Sequence, residues 1–179
     1  LKSITTTGIL AIGDASSGAF TISPAVAPTG APNLHLTSSG GIASTLATDT
    51  ITATSLALTA GATIDVHTIA GTLAATTGTG ALSVSDSGAG LTIGPVDGVT
   101  GLSTANQAIS LTKTGAGGIT VSSAINSGSA DCTITSSGAV TQGAAITANG
   151  LLLLGAGGYS LNLAAGNTVS VLAASITGG

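Results

Sequence analysis

The sequence has very little charge and almost no aromatic side chains. Charged residues make up 4% of its 179 positions and aromatic residues 1%, and Glu, Arg, Met and Trp are absent. Strong helix formers are therefore scarce, whereas Gly, Ser, Thr and Val, which are typical of turns and strands, are abundant. Helices with salt-bridged outer faces are excluded, and the composition predicts an all-β protein.

The low charge also excludes several partners. The basic residues are Lys2 and Lys113 alone, so the chain cannot neutralise a row of phosphates, and we expect no binding to nucleic acid. The longest aliphatic run, 151–154, is far shorter than the roughly 20 apolar residues of a membrane span, so we expect no membrane insertion. The single cysteine, Cys132, excludes an intrachain disulfide, and we predict that it is a small buried apolar residue.

One stretch of the chain occurs twice. The pattern at 20–26 returns at 119–125, a shift of 99 residues, and the pattern at 34–40 returns at 132–138, a shift of 98 residues. Both copies alternate apolar and small polar residues and end in Ser-Ser-Gly, which is typical of a strand with one buried face followed by a turn. We therefore predict a tandem array with a repeat unit of about 98 residues.

This repeat divides the chain into three parts. We predict that residues 1–39 are the C-terminal part of one unit, that residues 40–137 are a full unit, and that residues 138–179 are the N-terminal part of the next. All three parts are expected to stack as one continuous solenoid. Because the chain then starts and stops inside a unit, we expect it to stack end to end on further copies or on flanking repeats of a longer parent chain, and to associate laterally.

Short triplets of apolar, polar and apolar residues recur about every ten residues, separated by Gly-rich turns. Strands this short cannot bury a face alone, but they become stable when successive coils of a solenoid stack. Two or three strands per coil give a coil of roughly 20 to 30 residues, which favours a right-handed parallel β-helix, or β-solenoid. Tandem β-sandwich domains are the alternative, although the aromatic core residues of such domains are missing. The triplets are 82–84, 91–93, 109–111, 119–121 and 132–134.

The residues that carry a family resemblance are 138–142, 145–151, 161–163, 167–169 and 172–174. They resemble the repeats of filamentous-haemagglutinin-like bacterial exoproteins of the two-partner-secretion type. The resemblance covers most of residues 40–179 and, through the internal match, residues 10–39. The resemblance implies a right-handed parallel β-helix that forms a rod at the cell surface and acts in adhesion, biofilm formation or contact between cells. The sequence departs from that pattern because it lacks the N-terminal secretion domain and is unusually poor in charge.

Few residues suggest chemistry. Asp65 and His67 are two positions apart, so on a strand they would project from the same face and could share a proton. No nucleophile, oxyanion site or basic residue accompanies them, and His35 is predicted to point outward without a functional role. The six Asp residues are scattered, and the Gly-Gly-x-Gly-x-Asp calcium repeat does not occur. We therefore predict no catalytic residue, no metal site and no cofactor, and a protein that is not an enzyme.

These observations favour a structural function. We expect a non-catalytic component of an extracellular bacterial fibre or surface filament, located at the cell surface. The alternative is an adhesin module that binds a surface glycan or receptor, for which Tyr159, Asp65 and His67 are the best contact residues in the sequence. A minor alternative is an ice-binding β-helix, which requires outward Thr-x-Thr rows. The Thr-x-Thr triplets at 52–54, 112–114 and 133–135 are predicted not to share one coil spacing.

Overall fold

The computed structural model describes residues 6–29, 32–161 and 166–178, and these residues form a column of parallel β-strands. Seventeen strands share one hydrogen-bonded sheet, which winds through about eight turns of a β-solenoid, and no helix occurs in the described ranges. A further two strands make a small antiparallel ribbon. The predicted all-β solenoid is thus confirmed, and tandem β-sandwiches are excluded because those domains are built from antiparallel sheets.

The strands over 50–60 and 64–77 have 11 and 14 residues. Those between 82 and 142 have at most five, and those over 146–155 and 168–176 have 10 and 9. The strand bounds are β1 (Ile9–Ile12), β2 (Phe20–Ile22), β3 (Asn33–Ser38), β4 (Ile42–Ser44), β5 (Thr50–Ala60), β6 (Ile64–Thr77), β7 (Leu82–Asp86), β8 (Leu91–Ile93), β9 (Pro95–Val96), β10 (Val99–Thr100), β11 (Leu102–Thr104), β12 (Ile109–Lys113), β13 (Ile119–Val121), β14 (Ile125–Asn126), β15 (Cys132–Ser136), β16 (Val140–Gln142), β17 (Ile146–Gly155), β18 (Tyr159–Ser160) and β19 (Thr168–Ile176).

Each coil stacks on the next with side chains in register. The shortest step between paired residues is 17 positions, from Ser55 to Thr72, and the longest is 28 positions, from Leu91 to Ile119. Because side chains alternate along a strand, the in-register pairing sends every second residue into the lumen and builds continuous apolar columns. One such column runs through Phe20, Ile42, Ile64, Leu82, Ile109, Cys132, Leu151 and Leu172.

The turns stack as closely as the strands do, which explains the abundance of glycine. A Cβ atom on Gly138 would lie 2.0 Å from the carbonyl oxygen of Gly117, and a Cβ on Gly157 would lie 1.8 Å from the carbonyl oxygen of Gly138. Real Cβ atoms do not approach backbone oxygens so closely, so a larger residue would push the coils apart at this corner. The Gly-rich segments therefore set the coil spacing as well as the turns.

The residues matched across the sequence repeat do not share a column. Phe20 begins the column described above, whereas Ile119, its counterpart 99 residues later, stacks on Leu91 and below Val140. The two copies therefore have the same local conformation on different sides of the solenoid. The unit boundaries at 39/40 and 137/138 stay a prediction.

Cys132 lies in the lumen, as predicted. Its side chain is fully buried between Ile109 and Leu151, and it has no disulfide partner. Burial disfavours the thiolate and raises the pKa of Cys132 from its ordinary value near 9 to about 12. The thiol therefore behaves as a small apolar side chain at neutral pH.

This burial predicts a loss of stability in alkali. The pKa of Cys132 is higher in the folded chain than in the unfolded chain. The stability that depends on the neutral, buried thiol is therefore fully present below about pH 9 and is lost as the pH rises toward 12. One such group gives a slope of at most about 1.4 kcal/mol per pH unit. In denaturant unfolding between about pH 9 and 12, the free energy of unfolding should fall less steeply with pH for Cys132→Val than for the wild type. If the free energy of unfolding falls equally steeply with pH in the two proteins, ionisation of Cys132 is not the cause of the loss.

A β-hairpin interrupts the parallel pattern between β8 and β11. β9 and β10 pair antiparallel, and the two turn residues, Asp97 and Gly98, have φ angles of 47° and 80°. Positive φ at both positions is the requirement of a type I′ turn, for which Asp-Gly is a preferred sequence. The hairpin lies on the outside of the solenoid, where Val96 packs against Ala57 and Ala74.

Candidate functional site

Asp65 and His67 lie on the outer face of β6, side by side along the strand as predicted. Asp65 is exposed and His67 is half-buried. Across the described part of the chain, neither side chain forms a hydrogen bond or an ion pair. The two side chains thus make no contact with a base or a nucleophile in the described residues. That they are not catalytic stays a prediction.

A patch of hydroxyl groups continues the same face over the next three coils. We call it the hydroxyl face, and its side chains are all half-buried on strands that pair in register. Ser110 pairs with Thr133 and Thr112 pairs with Thr135, so these residues do recur at one coil spacing. The Thr-x-Thr triplets 112–114 and 133–135 themselves are offset within this pairing, because Thr133 lies beside Ser110 and only Thr112 and Thr135 meet as threonines. The hydroxyl face consists of Ser83, Ser85, Ser110, Thr112, Thr133 and Thr135.

Tyr159 does not join Asp65 and His67. It stacks on Val140 at the end of a different column, is half-buried, and packs against the apolar core. Its hydroxyl lies 2.7 Å from the carbonyl oxygen of Leu154 and 2.9 Å from that of Ile134, so its proton is shared between internal acceptors. Burial raises the pKa of the Tyr159 hydroxyl above its ordinary range. Tyr159 thus lies on a different part of the solenoid from Asp65 and His67.

His35 has more partners than the sequence suggested. Its Nδ1 lies 2.7 Å from Oδ2 of Asp97, at the tip of the hairpin, and its Nε2 lies 3.2 Å from Oγ1 of Thr59. The order carboxylate, imidazole, hydroxyl is that of a proton relay, but acyl transfer also requires free N–H donors for an oxyanion. The strand that carries Thr59 is paired on both sides, with β3 and β6, so its backbone is occupied. His35 therefore anchors the hairpin.

This anchoring gives a prediction about the hairpin alone. His35→Ala is expected to raise amide hydrogen exchange in residues 95–100 by up to about fivefold, since a partly exposed ion pair contributes roughly 0.2–1 kcal/mol. Global stability should change by less than about 0.5 kcal/mol, as for other outward substitutions. Thr37→Ala, on the same outer face of β3, is the control. If both variants leave exchange in the hairpin unchanged, the pair does not hold it.

Asp86 and Lys113 form an ion pair inside the lumen. Both side chains are fully buried, and Nζ of Lys113 lies 3.5 Å from Oδ1 of Asp86. Asp86 also accepts hydrogen bonds from Thr68 Oγ1 and from the backbone N–H groups of Ala70 and Gly88, each at 2.9 Å. Lys113 donates to the carbonyl oxygen of Gly88. Sequence reasoning missed this pair, although continuing the alternation from Ile109 places Lys113 inward.

The edge strand β19 exposes residues that belong to the lumen. Leu172 continues the column of Leu151 and is 65% exposed, and Ile176 continues that of Gly155 and is 41% exposed. In the interior coils, by contrast, the members of the Leu151 column from Ile42 to Leu151 are buried. β19 therefore presents both an unpaired backbone edge and an apolar row.

Other kinds of site are not indicated. Within the described ranges, no group of three or more His, Cys, Asp or Glu side chains is placed to hold a metal ion. The same residues include no helix long and apolar enough to cross a membrane. Residues 162 and 163, which carry part of the resemblance to exoprotein repeats, lie outside the described ranges. The chain matches no protein-family model, no curated protein and no solved structure, so that resemblance stays a prediction.

Proposed function

We propose that the protein is a non-catalytic structural rod of an extracellular fibre, and that it grows by adding coils at β19. The observation that supports this proposal is the row of lumen side chains, above all Leu172, that β19 exposes. A sheet edge with an apolar row is a template for another strand of the same kind. Burying one Leu side chain there contributes roughly 1.5–3 kcal/mol, and the strand edge adds backbone hydrogen bonds.

The partner proposed for this edge is a further coil of the same kind, from a flanking repeat of a longer parent chain or from the first coil of a second copy. β2 is the described strand at the opposite end of the column that Leu172 ends, so stacking would place Phe20 over Leu172. Neither β2 nor β19 contains a charged residue, so no like charges oppose each other. The sparse charge of the outer faces likewise leaves little repulsion between rods that lie side by side.

The test is self-association of the purified protein. Sedimentation velocity over a range of concentrations should show larger species for the wild type, and electron microscopy should show rods longer than one chain. Leu172→Asp places a charge in the lumen-facing row and should abolish association. Ala173→Asp places the same charge on the outer side of β19 and should leave it largely intact. A monomeric wild type, or equal effects of the two variants, would contradict the proposal.

Ice binding is a second candidate function, and the hydroxyl face is the observation that favours it. Hydroxyl groups on this face lie about 4.7–4.9 Å apart between neighbouring coils and roughly 6.6 Å apart along each strand, where every second residue faces outward. A rigid lattice of hydroxyls is the feature an ice-binding surface requires. Thermal hysteresis that disappears in Thr112→Leu would support this function, and its absence in the wild type would exclude it. The adhesin hypothesis has no comparable support, because the aromatic residue it needed, Tyr159, is packed against the core.

A further inference from the structure

The buried pair of Asp86 and Lys113 has the arrangement of two reactants. We infer that the two side chains condense into an isopeptide bond, which links Nζ of Lys113 to Cγ of Asp86. The inference does not depend on the proposed fibre function, because it rests on the contacts of these two residues in the lumen.

The first argument is proximity. Asp86 and Lys113 are direct partners in the parallel pairing of β7 with β12, so the two side chains leave neighbouring coils at the same level. Nζ lies 3.5 Å from Oδ1, and both side chains have no exposed surface. Holding two groups in contact removes most of the entropic cost of a bimolecular reaction. Neither side chain has to move between coils for the amine to reach the carboxyl carbon.

The second argument is the set of donors around the carboxyl group. The N–H of Gly88 donates to Oδ1, and the N–H of Ala70 and the hydroxyl of Thr68 donate to Oδ2. When an amine adds to a carboxyl carbon, negative charge develops on oxygen, and fixed backbone N–H groups stabilise that charge in a dry site. The lumen therefore supplies N–H donors that can stabilise an oxyanion, and such donors are missing beside His35 and Thr59 on the outer face.

The third argument is the apolar surroundings. A proton that passes from the ammonium of Lys113 to the carboxylate of Asp86 removes two charges from a low-dielectric interior at once. The neutral amine is then the nucleophile, and the neutral acid is the electrophile. Thr68 is the other nucleophile that touches the carboxyl group, but its hydroxyl is a much weaker nucleophile than an amine.

The reaction balances without a further reagent. The lone pair of Nζ forms the N–Cγ bond, and one carboxyl C–O bond breaks. The oxygen leaves with two protons that came from the original ammonium, so the products are one amide and one water molecule. No oxidation or reduction takes place. The amide keeps one N–H, which can still donate to the carbonyl oxygen of Gly88, the present acceptor of Lys113.

The bond would tie two adjacent coils together along the axis of the solenoid. Asp86 lies on β7 and Lys113 on the strand stacked directly upon it. A covalent link at this position resists separation of the coils independently of their backbone hydrogen bonds. Such a link would also close a loop of chain, which lowers the entropy of the unfolded state.

Two readouts test the bond in the full chain. The intact mass of the denatured wild type should be lower than the sequence mass by one water. Trypsin requires a free Lys or Arg side chain, and Lys2 and Lys113 are the only such residues. The unfolded, linked chain should therefore resist cleavage after Lys113, whereas an unlinked chain should give fragments 3–113 and 114–179.

Variants separate the bond from other changes. Asp86→Ala should have its full sequence mass and should be cleaved after Lys113. Asp86→Asn should lose one ammonia and resist cleavage, because an amide side chain gives the same product. Cyclisation at Asp97–Gly98 also removes a water, but it leaves Lys113 cleavable. A wild type that keeps its full mass and is cleaved after Lys113 would overturn the inference, and the pair would then be an ion pair only.

Discussion

Asp86→Ala is expected to lower the free energy of unfolding by about 3–5 kcal/mol. The substitution leaves the amine of Lys113 buried without its partner, and it also removes the acceptor of Thr68 Oγ1 and of two backbone N–H groups. Removing one member of a buried pair costs more than the pair contributes, because the remaining group stays desolvated. Denaturant unfolding, with the slope checked against that of the wild type, measures the loss.

A double variant provides the control for this prediction. Asp86→Leu combined with Lys113→Met fills the same space with apolar side chains and leaves no buried charge. It is expected to recover the part of the stability lost in Asp86→Ala that comes from the unpaired buried amine, since apolar replacement of a whole buried pair is often close to neutral. The stability that it does not recover measures the contribution of the covalent link and of the local packing.

Leu56→Ala is expected to destabilise the protein by about 2–5 kcal/mol. Leu56 is fully buried, and its strand partners on either side are Leu34 and Leu73, so truncation leaves a gap in the middle of a column of leucines. The backbone pairing of β5 with both neighbours prevents the coils from closing that gap. The cost therefore includes a cavity as well as the lost burial.

Leu46→Ala is the matched control for Leu56→Ala. Leu46 is 61% exposed, so the same chemical change removes little buried surface and should alter the free energy of unfolding by less than about 0.5 kcal/mol. Thermal or denaturant unfolding of the two variants in parallel compares the sites directly. Similar losses in both variants would mean that the lumen columns are not the main source of stability.

Much of the fold follows from patterns that span a few residues. The triplets at 82–84 and 109–111 alternate, and both form strands whose apolar residues face the lumen. The Gly-rich turns were also placed correctly. The hairpin at Asp97–Gly98 was not predicted, although an Asp-Gly turn signal was present, because its strands have only two residues each and Pro95 has no N–H to donate. The inward position of Lys113 was missed because a charged residue is normally assumed to be exposed.

The candidate sites were predicted less well than the strands. Asp65 and His67 do share one face, but Tyr159 was expected at the surface and lies against the core. The location of Tyr159 depends largely on residues in other coils, since it stacks on Val140 and its hydroxyl reaches the carbonyl oxygen of Ile134 as well as that of the nearby Leu154. The partners of His35 are equally remote: Asp97 is 62 positions away.

The sequence by itself determined that the chain forms short strands with one buried face, separated by glycine turns. That information is local, because the alternation of side chains and the conformations of glycine depend only on neighbouring residues. The tertiary structure alone decided which residues meet across coils, such as Asp86 with Lys113 and His35 with Asp97. The physical reason is that coil length varies from one turn to the next, so register is fixed by the packing of the whole column.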